Sequence, residues 1–152
     1  MTAPPTPLQH DLSISVRVYY EDTDAAGIVY YANYFRFLER GRTEFLRALG
    51  HNQQELMQKG IAFAVRSVSA EYLKPAKLDD VLTVETGVES LGRAQVVFFQ
   101  RIVRGEDTLL DAKIRVACID PQRGKPIAMP RAIYEQFKSL MPHQPTPQEA
   151  SA

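Results

Sequence analysis

The amino-acid sequence predicts an α+β fold, in which one long helix packs on one face of a curved antiparallel sheet. Three observations predict it: an opening segment with strand alternation, a long amphipathic helix pattern, and four further strand patterns. The length of 152 residues fits one domain. We place that domain at residues 11–140, between a flexible lead-in of residues 1–10 and a disordered tail of residues 141–152.

The first strand is predicted from Leu12 to Tyr20, because apolar and polar residues alternate there with the period of a half-buried strand. Turn-forming residues from Glu21 to Gly27 interrupt this pattern. A helix is then predicted from near residues 30–33 to Leu49, since apolar residues recur every three or four positions. Gly50 is expected to end it.

The long helix is predicted to bury one face against the sheet. That face contains Tyr34, Leu38, Gly41, Phe45 and Ala48. Glycine costs about 1 kcal/mol relative to alanine in a helix interior. Gly41 therefore indicates close approach of another backbone, here that of the sheet. The opposite, solvated side is predicted to carry Arg36, Arg40, Glu44 and Arg47.

The second half of the chain is predicted to form a short helix at residues 53–59, four strands, a loop at residues 121–126 and a last helix at residues 131–140. The strands are expected at residues 61–74, 81–89, 93–103 and 109–119. The apolar phase slips near Arg66 or Ser67, which predicts a β-bulge. Residues 96–99 are apolar on both parities, which predicts burial on two sides, in the sheet centre or against a second subunit.

Charge and cysteine content exclude several classes of protein. Lys+Arg 18 balances Asp+Glu 18, so no net basic field favours a nucleic acid or a membrane surface. The single Cys118 cannot form an internal disulfide and is typical of a reducing compartment. No signal-peptide pattern and no apolar run of the roughly 18 residues needed to span a membrane is present. These features predict a cytoplasmic protein.

The acidic turn before the long helix is the candidate site. A carboxylate-rich turn beside a helix start combines side-chain acids with unpaired backbone N–H groups, which can stabilise an anion. A lone aspartate in a loop more often makes a turn or caps a helix. Because alternate residues of an extended segment point opposite ways, one of Asp22 and Asp24 is expected to face a pocket. Asp24, nearer the helix, is the better candidate, and Asp22 is expected to fix the loop.

Other catalytic patterns are missing from the sequence. The D-x-D spacing also occurs in phosphatases that form an aspartyl-phosphate, but Glu21 and Ala26 depart from that pattern and no parallel βαβ series follows. There is no G-x-S-x-G or G-x-x-x-x-G-K-[ST], and three scattered histidines offer no metal-ligand spacing, so no metal is predicted. Glu39, three residues from both Arg36 and Arg42, is expected to form a surface ion pair.

The stretches VYYEDTDAAGIVYYANYFRFLERGRTEFLR and LKPAKLDDVLTVETGVESLGRA resemble the 4-hydroxybenzoyl-CoA thioesterase family of the hotdog superfamily. The likeness runs from Ser13 to Pro130 and is greatest to the acyl-CoA thioesterases associated with the bacterial Tol–Pal system. The family's hotdog fold, a curved antiparallel sheet around one long helix, agrees with the predicted layout. The resemblance implies hydrolysis of an acyl-CoA thioester at a dimer interface, with no metal or separate cofactor.

The resemblance also implies roles for three residues. The family's catalytic carboxylate falls on Asp24, and its oxyanion-binding backbone N–H falls on Tyr31. Tol–Pal-associated members often have histidine at that second position, whereas tyrosine occurs in the hydroxybenzoyl branch, so the branch stays open. The family's basic residues near the coenzyme A phosphates fall on the loop before the fourth strand, where Arg93 alone matches.

Several alternatives stay open. Asp24 is expected to act either as a nucleophile or as a general base on water. A related hydratase or dehydratase of acyl thioesters needs a histidine, and none lies in this turn. A non-enzymatic acyl-thioester-binding, acyl-carrier-binding or envelope-associated protein of the same fold is the other class. Exposed strand edges predict a homodimer or homotetramer. The acyl group is undetermined, although the aromatics of residues 30–37 could line its pocket.

Overall fold

The computed structural model of the protein describes residues 12–141. The predicted lead-in of residues 1–10 and the tail from residue 142 onward lie outside the described residues. The strands are β1 (Leu12–Arg17), β2 (Ala62–Tyr72), β3 (Val81–Leu91), β4 (Gln95–Arg104), β5 (Asp107–Asp120) and β6 (Lys125–Pro126). The helices are α1 (Tyr34–Ala48), α2 (Gln53–Gln58) and α3 (Arg131–Leu140), with short 3-10 turns at Tyr20–Asp22 and Tyr31–Asn33.

The sheet has the strand order β1-β3-β4-β5-β2, and every neighbouring pair is antiparallel. Although β2 follows the helices directly, it lies at the far edge of the sheet from β1 and pairs only with β5 in the described chain. The long helix α1 therefore carries the chain across the sheet from one edge to the other. This arrangement confirms the predicted α+β architecture.

The helix and the inner face of the sheet form the core. Its fully buried members include Phe37, Leu38, Leu82, Val84, Ile102, Leu110 and Ile114. The predicted buried face of α1 is correct at Tyr34, Leu38, Gly41 and Phe45 but wrong at Ala48, which is exposed in the last turn. Phe37 and Leu46 are buried in its place, so the apolar face is wider than the predicted stripe.

Gly41 is the point of closest approach between α1 and the sheet. A Cβ atom there would lie 2.9 Å from Thr86 Oγ1, 2.9 Å from Val84 Cγ1 and 3.0 Å from Gln100 Nε2. Close approach is confirmed, but the predicted partner is wrong, because side chains of β3 and β4 come nearest rather than backbone. A side chain at position 41 would therefore push α1 off the sheet.

Local geometry tests the remaining expectations. The register of β2 shifts between Val65 and Ser67, which confirms the predicted bulge. The first strand ends at Arg17 rather than at Tyr20, because residues 20–22 turn into a 3-10 helix. The predicted loop at residues 121–126 includes the two-residue strand β6, which pairs with β5.

The predicted helix end at Gly50 is confirmed by its hydrogen bonds. Gly50 has φ +89°, and its N–H donates to the Arg47 carbonyl at 3.0 Å. The His51 N–H donates to the Leu46 carbonyl, also at 3.0 Å. This pair of bonds is a Schellman motif, which favours glycine at the left-handed position. Across residues 12–141, no helix has the length and apolar character needed to cross a membrane.

Candidate active site

The acidic turn is a tight loop that backbone hydrogen bonds close at its base. Thr23 and Val29 form an antiparallel bridge, and the Asp24 N–H donates to the Ile28 carbonyl at 3.0 Å. Gly27 donates back to the Asp24 carbonyl at 3.0 Å and has φ +79°, a conformation that costs glycine little. Asp24 therefore lies at the start of a small, hydrogen-bonded loop that leads into the helix.

Asp22 holds this loop against the helix start. Its side chain is 7% exposed, and Oδ2 accepts a hydrogen bond of 2.8 Å from the Tyr19 N–H. Its Oδ1 accepts a 2.9 Å bond from the Asn33 side-chain amide, and its carbonyl accepts a 3.1 Å bond from the Tyr30 N–H. With its acceptors occupied, Asp22 is structural, as predicted.

Asp24 has the opposite environment. The side chain is exposed, and its Oδ1 accepts a 2.8 Å hydrogen bond from the Ala26 N–H of the same turn. The other carboxylate oxygen has no hydrogen-bond partner among the described residues. Asp24 borders a surface cavity of about 330 Å³, together with Tyr30, Asn33 and Arg36. The carboxylate is thus fixed by one oxygen and open to a ligand or to water by the other.

Tyr31 begins the 3-10 turn that precedes α1. The prediction placed it at the start of the long helix, but the α-helix itself begins at Tyr34. Within the described part of the chain, the Tyr31 N–H donates no hydrogen bond, so it is an available donor at a helix start. The Tyr31 carbonyl accepts a 2.8 Å bond from the Tyr72 hydroxyl.

Asp24 and Tyr31 border different cavities of the chain. The cavity at Tyr31 has a volume of about 280 Å³ and is also lined by Ile28, Tyr34, Tyr72 and Lys74. The cavity at Asp24 includes the neighbours Tyr30 and Ala32 but not Tyr31. The expected convergence of carboxylate and amide on one carbonyl is therefore not formed within one cavity of one chain, and it stays a prediction.

Residues 73–75 form part of the wall of the Tyr31 cavity, and Tyr34 anchors the segment that continues from them. Tyr34 is buried, and its hydroxyl accepts a 3.0 Å hydrogen bond from the Ala76 N–H. Burial raises the pKa of Tyr34, although the Ala76 bond and the nearby Arg104 oppose this rise, so the phenol stays neutral. Arg104 Nη1 also fixes this segment, with bonds of 3.1 Å to the Pro75 carbonyl and 2.7 Å to Asp80 Oδ2.

Arg93, predicted at the phosphate groups of the coenzyme, lies at the other end of the sheet. It is exposed in the turn between β3 and β4, and its carbonyl accepts a 2.8 Å bond from the Met129 N–H. Beside it, β4 begins opposite Ala117, whereas Tyr72 lies opposite Leu110. Those two β5 residues are seven positions apart, which is about 23 Å at about 3.3 Å per residue.

Glu39 and Arg42 do not form the predicted surface ion pair. No carboxylate–guanidinium contact of Glu39 within 4.0 Å occurs in the described chain. Arg42 Nη1 instead donates a 2.9 Å bond to Oε1 of the buried Gln100. Burial lowers the pKa of Arg42, and Glu39 partly offsets that effect. Both residues border a third cavity, of about 270 Å³.

Sequence reasoning missed the hydrogen bond of Tyr72 and the third cavity. That cavity is also lined by Leu46, Gln53, Phe63, Val65, Phe98, Val116 and Phe137. These residues come from α1, α2, β2, β4, β5 and α3, so no local pattern unites them. Among residues 12–141, no three His, Cys, Asp or Glu side chains are placed to hold a metal ion.

Comparison with known proteins gives matches over most of the chain. The model of the thioesterase-like superfamily matches residues 18–137. The acyl-CoA thioester hydrolase YbgC of Escherichia coli O157:H7 is 51% identical over 124 residues, which are 81% of this chain and 92% of that protein. The acyl-CoA thioesterase YbgC of Haemophilus influenzae is 45% identical over 134 residues, covering 88% and 98% respectively.

A solved structure agrees with the fold. The 4-hydroxybenzoyl CoA thioesterase from Pseudomonas sp. strain CBS-3 superposes with a TM-score of 0.75 at 27% identity, covering 84% of this chain and 98% of that one. These matches confirm both the resemblance that the acidic turn indicates and the expected hotdog architecture.

Proposed function

The chain belongs to the thioesterase-like superfamily and is a thioester hydrolase, and we propose that it cleaves acyl-coenzyme A to a free acid and coenzyme A. We propose Asp24 as the catalytic carboxylate and the Tyr31 N–H as the donor to the thioester oxygen. The observation that carries this assignment is the contrast between the two aspartates. Asp22 is buried and both of its carboxylate oxygens accept hydrogen bonds, whereas one oxygen of Asp24 has no hydrogen-bond partner among the described residues.

The proposed chemistry needs only groups that the chain supplies. Attack on the thioester carbonyl places negative charge on its oxygen, and a preorganised N–H donor at Tyr31 stabilises that charge. Loss of one such donor typically lowers the rate about 10²–10³-fold. Asp24 either attacks the carbonyl carbon, which gives a mixed anhydride, or removes a proton from an attacking water. The coenzyme A thiolate leaves in both routes.

The proposal includes a homodimer, or a homotetramer built from two dimers. Asp24 and Tyr31 border different cavities in one chain, and Arg93 lies at the far end of the sheet. A second copy could complete the site across the exposed edge of β2, where Val65 and Val68 are 49% and 40% exposed. Unpaired strand edges with apolar side chains favour association. In that assembly we assign the phosphate groups of coenzyme A to Arg93.

Free-thiol release from a panel of short, long and aromatic acyl-CoA thioesters tests the function. We expect turnover of at least one substrate by the wild type and its loss in Asp24→Ala, with unchanged circular dichroism. Glu106→Ala, at an exposed acid in the turn between β4 and β5, is the matched control and should retain activity. Normal turnover by Asp24→Ala would remove this residue from the mechanism. Acyl-CoA binding without thiol release from any substrate would favour the binding-protein alternative.

The two routes for Asp24 differ in the fate of the water oxygen. In a single turnover in ¹⁸O-water with excess enzyme, the mixed-anhydride route can place the label on Asp24 itself when water attacks the aspartyl carbonyl. The general-base route places it on the product acid alone. Mass spectrometry of the peptide containing residue 24 reads this difference. We also propose a cytoplasmic location, which the single cysteine supports.

A further inference from the structure

Tyr72 connects the edge strand β2 to the start of α1. Its hydroxyl donates a 2.8 Å hydrogen bond to the Tyr31 carbonyl, across 41 residues of sequence. Its ring stands edge-on to that of Tyr34, with centroids 5.4 Å apart and an interplanar angle of 74°. Tyr31, Tyr34 and Tyr72 border one cavity. The bond therefore reaches the residue that carries the proposed oxyanion donor.

Two residues hold the 3-10 turn in addition to its own backbone bond. Asp22 accepts hydrogen bonds from both ends of the turn: its carbonyl from the Tyr30 N–H at 3.1 Å, and its carboxylate from the Asn33 amide at 2.9 Å. Between these ends, the Tyr31 carbonyl accepts from Tyr72, the only side chain of the described residues that bonds it. Asp22 fixes where the turn starts, and Tyr72 fixes the direction of the peptide that follows Tyr31.

We propose that Tyr72 is a positioning residue for the reaction: by holding the Tyr31 carbonyl, it anchors the 3-10 turn whose own bond, from the Asn33 N–H to the Tyr30 carbonyl at 2.8 Å, orients the peptide that carries the Tyr31 N–H. This inference rests on the proposed function. A donor stabilises a developing oxyanion only when it is already aimed at the oxygen, because reorienting it during the reaction costs free energy. Productive sites need a tolerance of about 0.5 Å and 10–20°. The Tyr72 hydroxyl, at the end of β2, restrains the exposed 3-10 turn in this way.

The state of the Tyr72 hydroxyl suits this role. Burial, together with the nearby Tyr34 and Tyr31, raises the pKa of Tyr72 above that of an ordinary tyrosine. The phenol therefore keeps its proton at neutral and moderately alkaline pH and remains a hydrogen-bond donor. The Tyr34 ring, itself anchored by the Ala76 N–H, limits the rotation of the Tyr72 ring.

The variant Tyr72→Phe tests the proposal because it removes one oxygen and leaves the ring packing on Tyr34. We expect kcat to fall about tenfold with KM within about twofold, since an interaction that matters in the transition state lowers kcat and kcat/KM together. Tyr134→Phe makes the same chemical change on α3, where the ring packs on the core, and should leave kcat unchanged. Unaltered kcat in Tyr72→Phe would overturn the proposal.

A second readout does not depend on turnover. In the wild type, the backbone ¹⁵N–¹H resonance of Tyr31 should be a single sharp signal, and Tyr72→Phe should broaden or shift it while distant amides stay in place. An unchanged Tyr31 resonance would also overturn the proposal. Its failure is distinct from failure of the proposed function: inactive Asp24→Ala with normal Tyr72→Phe removes this inference alone. Inactive wild type with a perturbed Tyr31 resonance leaves the positioning contact and removes the thioesterase assignment.

Discussion

The Asn33 side-chain amide donates a 2.9 Å hydrogen bond to the Asp22 carboxylate, so the acidic turn and the turn that leads into α1 form one unit. The second oxygen of Asp22 accepts from the Tyr19 N–H at the end of the preceding segment. The buried Asp22 carboxylate thus links three consecutive segments of the chain. The exposed Asp24 carboxylate forms a hydrogen bond only within its own turn, among the described residues.

We predict that Asp22→Asn lowers the free energy of unfolding by about 1–3 kcal/mol. The substitution turns an acceptor oxygen into an N–H₂ group that faces a donor, either Asn33 or the Tyr19 N–H. Urea unfolding measures the change. Asp24→Asn, the same change at an exposed position two residues away, should alter stability by less than about 0.5 kcal/mol. Equal losses in the two variants would contradict the assigned division of roles.

We predict that Gly41→Ala destabilises the protein by about 1–3 kcal/mol, although alanine is the better helix former by about 1 kcal/mol. The new methyl group would meet Thr86 Oγ1 at 2.9 Å and Gln100 Nε2 at 3.0 Å, two atoms that are themselves hydrogen-bonded and buried. Thermal unfolding measures the change. An exposed site in the same helix serves as control, because Ala48→Gly should cost only the propensity difference. If Gly41→Ala were more stable than the wild type, the side chains of β3 and β4 would be able to move and accommodate the new methyl group.

We predict that Gln100→Leu costs about 1–3 kcal/mol of stability, because it leaves buried polar groups without a partner. The Gln100 amide donates to the Leu38 carbonyl at 2.8 Å and to Thr86 Oγ1 at 2.9 Å, and its oxygen accepts from Arg42. The loss should appear in urea unfolding. Gln95→Leu, at an exposed position at the start of the same strand, should be near neutral. Similar values for both variants would mean that the network adds nothing to stability.

Much of this fold follows from periodicity. Strand alternation, apolar runs and helix spacing predicted the three α-helices and, except for β6, every strand of the described chain, and the phase slip near Ser67 located the bulge. Gly41 predicted a close contact, because glycine destabilises a helix interior relative to alanine and its presence there needs a structural reason. Local rules work here because each element has one buried face, and burial sets the pattern of its residues.

Contacts between distant residues could not be predicted in this way. The ion-pair rule for Glu39 failed because Arg42 is drawn inward by Gln100, which lies 58 positions further along the chain. The bond from Tyr72 to Tyr31 spans 41 positions and depends on where β2 ends relative to α1. The separation of Tyr72 from Arg93 follows from the register of β2 and β4 on β5, which no local pattern encodes.

We predict that the stability contributed by Asp80 is lost in acid. Burial alone would raise the pKa of this carboxyl, but hydrogen bonds from the Lys77 N–H and the Arg104 guanidinium outweigh burial and lower it. A lowered pKa in the folded state gives stability that is present above the unfolded value, about 3.9, and is lost as the pH falls through the folded value. The Tm deficit of Asp80→Asn should therefore be larger at pH 6 than at pH 3.

The matched control for Asp80 is its neighbour Asp79. That residue has φ 70°, which asparagine tolerates, and its side chain makes no ion pair in the described chain. The Tm difference between wild type and Asp79→Asn should stay flat from pH 6 to pH 3. A deficit of Asp80→Asn that is constant over the same range would show that its bonds to Arg104 and Lys77 do not favour the ionised form.

The last prediction concerns the open edge of β2. Val68 is 40% exposed on this strand, whose second edge pairs with no other described strand. If a second copy covers that edge, Val68→Lys places a charge in the interface, where burial without a partner is costly. Light scattering at micromolar concentration should then give a dimer or tetramer for the wild type and a smaller species for the variant. Met57→Lys, at a 56% exposed apolar residue on α2, is the control and should keep the wild-type mass. A monomeric wild type would remove the dimer from the proposed site, and Asp24 and Tyr31 would then have to meet by movement within one chain.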